Sequence, residues 1–529
     1  MTAAGDKCRD PPPDSQAEVL RFLRDPAHYG GASPVAVVET HGAYVFLAGA
    51  VALKVKRAIR YEYMDLSTPG RRRRMLQREF ALNRRTAPGI YRDVVPVTRV
   101  PGGGLALNGG GRPVEWVLRM RRFAAADELA VIAARGDFTD ALADDLGRSV
   151  QAYHHRAPRR SADGTDLINA ILDELDRAFA GMHAELGAAP VAAFHTAART
   201  QLAACAVLLT GRSVTGHVRR CHGDLHLRNL VLLDGVPTPF DALEFSETLG
   251  TCDVLYDLAF LIMDLRHRKL PRAANIVLNS YLLAATGKED TGLVALPLFV
   301  AVRAAIRAMV GIQARHAGRG SAPGAGSGDA RHYLQDALAA LAPAPPQLVA
   351  VGGLSGSGKT TLSRELAPLL GAAPGAVHLR SDIERKAMAG VAPLTRLPVA
   401  DYAREGRGRV YARLLERAGT LLRAGQAVLL DATFLDPSAR AKAATLSADL
   451  GVPFTGLWLQ APAATLMSRL AARQGDASDA DAAVLRLQLA TDPGPIGWQR
   501  LDSSRSLAAA LAAARAMLSC GAGSSGGGG

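Results

Sequence analysis

The stretch Leu348-Val-Ala-Val-Gly-Gly353-Leu-Ser-Gly-Ser-Gly-Lys359-Thr360 decides the fold of the second half of the chain. A short apolar run typical of a buried strand leads into a glycine-rich loop, and a helical pattern follows. Glycines let backbone N–H groups converge on phosphate oxygens, a lysine reaches the terminal phosphates, and a threonine hydroxyl can bind Mg²⁺. The stretch therefore predicts a phosphate-binding loop (P-loop) for ATP, formed by Gly353, Leu354, Ser355, Gly356, Ser357, Gly358, Lys359, Thr360 and Thr361.

Around this loop, strand-like and helical patterns alternate. Apolar runs at residues 348–352, 377–379, 427–430 and 454–459 alternate with helical patterns at residues 360–370, 401–423 and 463–473, which predicts an α/β domain with a parallel sheet. Asp431 follows the third run at the carboxyl edge of its strand, where a carboxylate can hold Mg²⁺ directly or through water. We predict Thr360 and Asp431 as metal ligands; the alternative for Asp431 is a helix cap.

A charged segment, Arg380-Ser-Asp382-Ile-Glu-Arg385, follows the second apolar run. Residues 347–510 resemble P-loop small-molecule kinases of the zeta-toxin, gluconate-kinase and adenylylsulfate-kinase type. The resemblance implies that Asp382 orients or deprotonates the acceptor hydroxyl and that Arg385 lies beside the substrate. Helix capping is the alternative for Asp382.

Arg469 and Arg473 lie one helical turn apart after the fourth apolar run, so both can face one ligand. The same resemblance implies that they are lid arginines, which neutralise the charge on the transferred phosphoryl group. A solvated helix face is the alternative.

A second motif, His222-Gly-Asp224-Leu-His226-Leu-Arg-Asn229, lies in the first half of the chain. An Asp followed five residues later by an Asn has the spacing of a kinase catalytic loop. Asp224 would accept the proton of an acceptor hydroxyl, and Asn229 would hold a metal ion. Asp241 closes a predicted hairpin strand twelve residues further on and is the candidate for a second metal ligand. A chance set of turn-forming residues is the alternative.

Residues 35–315 resemble the aminoglycoside-phosphotransferase and choline-kinase branch of the protein-kinase-like folds, whose loop reads His-Gly-Asp-x-His-x-x-Asn. The pattern of this half predicts an α+β domain with a small β-rich lobe and a helical lobe. The resemblance implies Asp224 as the base and Asn229 and Asp241 as Mg²⁺ ligands. Asp253 and Asp257 match an Asp-rich helix of that branch, which has a mainly structural function.

The nucleotide-binding half of this domain is less regular. Val51-Ala-Leu-Lys54 matches the strand lysine that binds nucleotide phosphates, and Glu79 on the next helix is its natural ion-pair partner. Lys56 is a second candidate for the phosphate-binding lysine. The alternative to both is that Lys54 and Lys56 are exposed strand lysines without a binding function. Thr40-His-Gly-Ala-Tyr-Val stands where a glycine-rich loop is expected.

Composition limits the remaining functions. The net charge of +13 permits nucleic-acid binding, and Arg71–Arg74 is the densest basic run, but no aromatic residues are interleaved to form a single-strand groove. The five cysteines show no CxxC spacing, so no zinc site is predicted. The best apolar run, residues 293–302, stops at Arg303, and we predict a cytoplasmic protein without a membrane segment.

A Gly-, Ser- and Pro-rich stretch marks the clearest boundary. The predicted organisation is an N-terminal extension (1–32), a phosphotransferase-like domain (33–315), a linker (316–346), a P-loop kinase domain (347–515) and a disordered tail (516–529).

This order of halves resembles a bacterial family described only as fused aminoglycoside-phosphotransferase-like and P-loop ATPase proteins. We predict an ATP- and Mg²⁺-dependent enzyme with two nucleotide sites that phosphorylates small hydroxylated acceptors. The alternatives are a P-loop kinase regulated by a ligand-sensing pseudokinase, a toxin-like nucleotide-sugar kinase and, on charge alone, a kinase of nucleic-acid 5′ ends. Neither the acceptors nor the oligomeric state follows from the sequence.

Overall fold

A computed structural model of the chain describes residues 16–61, 64–316, 327–398, 404–472 and 477–521. Its strands are β1 (Ala36–Glu39), β2 (Ala43–Ala48), β3 (Val51–Lys56), β4 (Arg60–Tyr61), β5 (Met64–Asp65), β6 (Tyr91–Arg99), β7 (Leu105–Leu107), β8 (Arg112–Arg121), β9 (Val218–Arg220), β10 (Leu230–Leu233), β11 (Val236–Pro239), β12 (Thr251–Asp253), β13 (Leu348–Gly353), β14 (Val377–Arg380), β15 (Val428–Asp431), β16 (Phe454–Gln460) and β17 (Gln499–Asp502).

The α-helices are α1 (Ala17–Phe22), α2 (Pro69–Asn83), α3 (Leu129–Ala134), α4 (Asp140–Arg156), α5 (Gly164–Phe179), α6 (His183–Leu186), α7 (Ala188–Val214), α8 (Glu247–Gly250), α9 (Val254–His267), α10 (Pro271–Ala284), α11 (Leu296–His316), α12 (Ser327–Leu341), α13 (Lys359–Leu366), α14 (Ser381–Met388), α15 (Arg404–Arg423), α16 (Pro437–Asp449), α17 (Ala463–Ala471), α18 (Ala482–Ala490) and α19 (Leu507–Gly521). Short 3₁₀ helices cover Pro26–Tyr29, Ala125–Asp127, Leu227–Asn229, Asp290–Ala295 and Ala367–Leu369.

The chain divides into two compact units. Unit 1 runs up to Ala162 and resumes from Gly216 to Leu261, whereas unit 2 contains Asp163–Thr215 and the chain from Ile262 onward. This division groups residues 262–316 with the P-loop sheet, which the predicted boundaries do not. Those boundaries remain predictions.

A six-stranded antiparallel sheet in the order β1-β2-β3-β8-β6-β7 forms the predicted β-rich lobe of unit 1. Helix α2 packs against β8 and β6. Val19, Leu23 and Tyr29 are buried in the same cluster as Phe46 and Leu53, so the segment before the sheet contributes to its core. The lobe of strands with one long helix agrees with the sequence prediction.

Arginines of the basic run Arg71–Arg74, at the start of α2, contact other residues of unit 1. Arg72 is buried and pairs with the buried Glu115, with Nη2 and Oε2 2.7 Å apart. Arg71 pairs with Asp65, and the Arg73 guanidinium lies 4.2 Å from the ring centroid of Trp116. Three of the four arginines thus have protein partners. These contacts account for the basic run Arg71–Arg74 without a bound nucleic acid.

The predicted hairpin across Asp234-Gly235 is present as the antiparallel pair β10–β11. Asp234 and Gly235 have φ values of 50° and 83°, as a two-residue turn between antiparallel strands requires. Strands β9 and β12 form a second antiparallel pair. The motif from His222 to Asn229 lies between β9 and β10.

Unit 2 contains a five-stranded parallel sheet in the order β14-β15-β13-β16-β17. Four strands coincide with the predicted apolar runs to within one residue. Strand β17 and helices α14, α16, α18 and α19 were not predicted. Strand β17 reads Gln499-Arg-Leu-Asp502 and has one apolar residue, and α14 is short and charged. The α/β prediction for this domain is confirmed.

Helix α12 lies inside the predicted linker and packs on α11 and α7. Residues Asp290–His316 form a stretch that is long and apolar enough to cross a membrane, but 72% of its most apolar window is buried within the protein. Its apolar side chains therefore pack in the protein's own core.

A histidine attaches α12 to the end of α9. His267 Nε2 lies 3.0 Å from an Asp329 carboxylate oxygen, and Nδ1 lies 3.1 Å from one of Asp336. The ring stacks on Tyr333 at 3.8 Å, with the His332 ring at 5.6 Å. Burial alone would lower the pKa of His267, but the hydrogen bond to Asp336 and the charge of Asp329 outweigh it and raise the pKa.

This attachment predicts a pH dependence. Because the folded-state pKa of His267 is raised, its contribution to stability is complete below the unfolded-state pKa of about 6.5 and is lost as the pH rises through the folded-state value. We expect amide-exchange protection factors in α12 to fall over that range. In His267→Phe, which keeps the ring stacking and removes the charge, protection should not change with pH; an unchanged pH dependence would contradict the assignment.

Candidate active sites

The loop between β13 and α13 turns at three glycines with positive φ. Gly353, Gly356 and Gly358 have φ values of 138°, 82° and 86°, which side chains rarely adopt. A Cβ on Gly353 would lie 2.6 Å from the carbonyl oxygen of Leu459, and one on Gly356 would lie 2.7 Å from that of Leu466. The backbone packed against the loop therefore requires glycine at these positions, and the predicted P-loop is formed.

Polar side chains hold this loop. Lys359 Nζ donates a hydrogen bond to the carbonyl oxygen of Leu354 at 2.9 Å. Gln488 on α18 accepts from the Ser355 N–H at 2.8 Å and donates to Ser355 Oγ at 3.0 Å. Ser357 Oγ is buried without a hydrogen-bond partner among the described residues, which suits a site for an oxygen-rich ligand. Sequence reasoning missed Gln488 because no local motif marks it.

The two predicted metal ligands of this site lie side by side. Thr360 Oγ1 donates to Asp431 Oδ2 at 2.6 Å, and His378 Nε2 lies 3.3 Å from the same oxygen. Burial alone would raise the pKa of Asp431, but interactions with His378, Arg380 and Lys359 outweigh it and hold the pKa well below its usual range. An ionised carboxylate beside a hydroxyl is an oxygen donor set that suits Mg²⁺, so these residues fit the metal.

Asp382 lies in the first turn of α14, directly after β14. Burial raises the pKa of its carboxyl group; a hydrogen bond with Ser478 opposes this shift, and the negative charge of Asp431 adds to it. The positive charges of Arg380 and of the P-loop residue Lys359 also act on Asp382 and oppose the shift. A raised pKa makes a carboxylate a better proton acceptor near neutral pH. Its function as a base remains a prediction.

The two predicted lid arginines have different outcomes. Arg469 Nη2 donates to the carbonyl oxygen of Ser503 at 2.7 Å, and its Nη1 lies 3.9 Å from the position that a Cβ on Gly358 would take. Its guanidinium group is therefore beside the P-loop. Arg473 lies outside the described residues.

In unit 1, the side chains of the catalytic-loop motif converge on Asp224. Asn229 Nδ2 donates to both the carboxylate Oδ2 and the carbonyl oxygen of Asp224, at 2.9 Å each. His226 Nε2 lies 3.4 Å from the same carboxylate oxygen, and the Asp224 side chain is 40% exposed. The carboxylate is thus held in one orientation while it remains accessible to an acceptor.

Asp257 on α9 holds the backbone of this loop. Its two carboxylate oxygens accept the N–H groups of His222 and Gly223 at 3.0 and 2.9 Å, and His154 Nε2 lies 3.2 Å away. His222 Nε2 also contacts the carbonyl oxygen of Phe240 at 2.9 Å. Asp257 is completely buried, so these contacts fit the structural function that the resemblance implies.

Both candidate lysines of β3 are buried and pair with Glu79. Lys54 Nζ lies 2.7 Å from Glu79 Oε1 and 2.8 Å from Asp241 Oδ1. Lys56 Nζ lies 2.7 Å from Glu79 Oε2 and 2.5 Å from Glu244 Oε1. The alternative of exposed strand lysines is wrong. The contact with Asp241 favours Lys54 as the phosphate-binding lysine, and Glu244 is a partner that the sequence did not suggest.

Asp241 has a left-handed backbone conformation, with φ of 59°. Its N–H donates to Tyr91 Oη at 3.0 Å, and the next N–H, of Ala242, donates to Asn83 Oδ1 at 2.8 Å. Burial alone would raise the pKa of Asp241, but the positive charge of Lys54 outweighs it and lowers the pKa. An ionised carboxylate in a cluster with Asp224 nearby suits Mg²⁺, so Asp241 fits the predicted metal function.

A tight turn replaces the glycine-rich loop between β1 and β2. The Thr40 N–H donates to the carbonyl oxygen of Ala43 at 2.8 Å, and the Ala43 N–H donates to Thr40 Oγ1 at 3.0 Å. The turn therefore closes on itself through its own hydrogen bonds.

Comparisons with known proteins give a family match in the second half and a relative that spans most of the chain. A family model described as an AAA domain matches residues 348–493. The protein Rv2004c of Mycobacterium tuberculosis, described as uncharacterized, is 31% identical over 458 residues, which cover 85% of this chain and 88% of the relative.

Two solved structures are similar to parts of the chain. A sugar kinase from a Janibacter species is 24% identical with a TM-score of 0.26, covering 33% of this chain and 95% of its own. A choline/ethanolamine kinase family protein from Mesorhizobium loti is 17% identical with a TM-score of 0.37, covering 62% of this chain and 99% of its own. The family model covers most of the predicted P-loop domain in the second half of the chain. The protein-kinase-like fold of the first half and the kinase activity remain predictions.

Proposed function

Since the chain belongs to the protein family that includes Rv2004c of Mycobacterium tuberculosis, we propose that it is an ATP-dependent phosphotransferase with two nucleotide sites, one in each unit. Each site transfers the γ-phosphoryl group of ATP to a small hydroxylated acceptor. The observation that carries the proposal is that each unit places a lysine near an ionised carboxylate: the charge of Lys359 acts on Asp431, and Lys54 contacts Asp241. We assign phosphate binding to both lysines.

In unit 2, the proposed reaction uses the P-loop to bind the phosphates and Lys359 to neutralise the terminal ones. Asp382 accepts the proton of the acceptor hydroxyl, and Arg469 stabilises the charge on the transferred group together with Arg473. Mg²⁺ bound by Thr360 and Asp431 would neutralise phosphate charge. The protein therefore contributes mainly positioning and electrostatic stabilisation.

In unit 1, we assign proton acceptance to Asp224, whose carboxylate is oriented by Asn229 and accessible at its surface. Lys54, held by Glu79, binds nucleotide phosphates. Asn229 and Asp241 would hold Mg²⁺, which neutralises phosphate charge when bound. In the structure Lys54 contacts Asp241 directly, so nucleotide binding would exchange part of this contact for phosphate oxygens.

One observation favours a second candidate for unit 1. The closed turn at Thr40–Ala43 takes the place of a loop that covers ATP phosphates in many kinases. A ligand-sensing pseudokinase that regulates the P-loop site would need neither that loop nor a working base. Loss of activity on changing Asp224 separates the two candidates.

We also propose ATP and a small hydroxylated molecule as the partners and the cytoplasm as the location. Cys205, Cys221 and Cys252 are buried free thiols, which agrees with a reducing compartment.

The test is acceptor-dependent ATP consumption by the intact protein with Mg²⁺, over a panel of sugars, amino alcohols and nucleosides. Phosphorylated products are identified by ³¹P NMR. The proposal predicts at least one phosphorylated acceptor; ATP hydrolysis that no acceptor stimulates, with no product in the panel, would count against a small-molecule kinase.

A further inference from the structure

Helix α10 lies against the edge of the P-loop sheet and supplies hydrogen bonds to its outermost strand. The Asn279 Oδ1 atom accepts the N–H of His378 on β14 at 2.8 Å. Asn275 and Asn279 both donate to the carbonyl oxygen of Ala376, at 3.1 and 3.2 Å. An edge strand has backbone groups without strand partners, and these two amides satisfy part of that edge. All these residues belong to unit 2.

The residue held by Asn279 reaches the proposed metal site. His378 Nε2 lies 3.3 Å from Asp431 Oδ2, the oxygen that also accepts from Thr360 at 2.6 Å. An ionised carboxylate only accepts hydrogen bonds, so this contact requires a hydrogen on His378 Nε2. The His378 and Asp431 side chains are 8% and 5% exposed, which leaves the imidazole little freedom to turn away.

The same part of the chain also anchors α14, which carries Asp382. The Arg417 guanidinium donates to both carboxylate oxygens of Asp290, at 2.8 and 3.0 Å, and also contacts Glu384 on α14. Arg413 donates to the other oxygen of Glu384 at 2.8 Å. These acids and Arg417 are buried. Residues 271–295, which sequence analysis assigned to the other domain, therefore border two elements of the P-loop site.

We infer that Asn279 and His378 are positioning residues for Asp431: Asn279 holds the backbone of His378, and His378 orients the carboxylate that would bind Mg²⁺ beside Thr360. The inference rests on the proposed nucleotide site in unit 2. Residues that hydrogen-bond a metal ligand set its orientation, and their loss typically weakens metal affinity by about 10- to 100-fold. Helix α10 is thereby part of the P-loop site.

The two asparagines provide a matched comparison. Asn279→Ala removes the acceptor for His378 and the Asn279 bond to Ala376. Asn275→Ala removes its own bond to Ala376 and the 3.2 Å contact from Asn279 Nδ2 to Asn275 Oδ1, but Asn279 keeps its bond to the Asn275 carbonyl oxygen at 3.0 Å and the oxygen that accepts from His378. A purely structural function for α10 predicts similar effects for both variants. A positioning function predicts an effect on Mg²⁺ affinity that is specific to Asn279 and His378.

The experiment measures binding of a fluorescent ADP analogue to the full-length protein as the Mg²⁺ concentration is varied. Only the part of the binding signal that is absent in Lys359→Ala is assigned to the P-loop site and compared between variants. We expect His378→Ala to raise the half-saturating Mg²⁺ concentration by about 10-fold or more. Asn279→Ala should shift it in the same direction, and Asn275→Ala should leave it within about twofold. Binding without Mg²⁺ should change little in all three variants, because His378 does not contact the P-loop backbone in the described contacts.

One further variant and one control distinguish a positioning function from misfolding. His378→Gln restores an amide N–H donor and should recover part of the Mg²⁺ affinity, while thermal unfolding confirms that each variant is folded. Equal shifts in Asn275→Ala and Asn279→Ala, or unchanged Mg²⁺ dependence in folded His378→Ala and His378→Gln, would overturn the inference. If Lys359→Ala removes no nucleotide binding at all, the proposed P-loop nucleotide site is wrong. That outcome differs from the failure of the positioning inference, in which nucleotide still binds at the P-loop.

Discussion

Replacing Lys359 with alanine is expected to reduce the P-loop activity by orders of magnitude and leave the fold intact. The side chain reaches back over the loop to the carbonyl oxygen of Leu354, a contact that phosphate oxygens can replace. Removing one charged donor from a phosphoryl-transfer site typically costs about 10²- to 10³-fold in turnover. We expect a loss of this size in the acceptor-dependent activity of unit 2, measured by steady-state kinetics with ATP varied.

Lys442→Ala is the matched control for this variant. Lys442 is an exposed lysine on α16, so its substitution removes the same charge from the chain without touching the loop. Its kinetics should equal those of the unchanged protein. Full activity in Lys359→Ala would contradict the assignment of the P-loop as the nucleotide site of unit 2.

Replacing Asp224 with alanine is expected to remove a separate activity, that of unit 1. Its carboxylate accepts from Asn229 and is open to an acceptor, and loss of a general base typically costs about 10²- to 10⁴-fold. We expect a loss in this range for one acceptor in the panel, while the acceptor whose phosphorylation depends on Lys359 is still used. Product analysis for each acceptor separates the two activities.

Asp234→Asn is the control for Asp224→Ala. Asp234 lies in the exposed turn of the β10–β11 hairpin with φ of 50°, a conformation that Asn tolerates well. If Asp224→Ala and Asp234→Asn both retain every activity of the unchanged protein, unit 1 is a sensor or scaffold and the two-enzyme account is wrong.

The parts of the sites that could be predicted from the sequence are those encoded by short spacings. The P-loop is specified within a few residues by glycines that the packed backbone demands, and Asp224 and Asn229 meet because they are five positions apart on one loop. Asp431 was found because the carboxyl end of a parallel strand is where ligands bind. Such signals are local, so one sequence is enough to detect them.

The supporting residues could not be predicted, because their partners are distant in sequence. Gln488 is 133 positions from Ser355, and Asn279 is 99 positions from His378. An Asn or Gln in an amphipathic helix has no pattern that indicates which backbone group it will contact. Glu244, only three residues after Asp241, was missed for another reason: its partner, Lys56, was considered only as a rival to Lys54.

The buried contacts of residues 271–295 also bear on the toxin-like alternative. A fragment of residues 340–529 would lack Asp290, Asn275 and Asn279, and would leave Arg417 without its partner Asp290. Removing one partner of a buried ion pair typically costs about 3–5 kcal/mol. Growth arrest by the C-terminal half should therefore be tested by expressing the full chain, with Lys359→Ala as the inactive control.

The central claim, two nucleotide sites in one chain, is tested most directly by the stoichiometry of nucleotide binding. Equilibrium titration of the intact protein with a non-hydrolysable ATP analogue and Mg²⁺ should give two equivalents per chain. Lys359→Ala should retain one equivalent, and that remaining equivalent should be lost when Lys54→Ala is added. A single equivalent in the intact protein that Lys359→Ala abolishes would contradict the account and leave unit 1 without a nucleotide site.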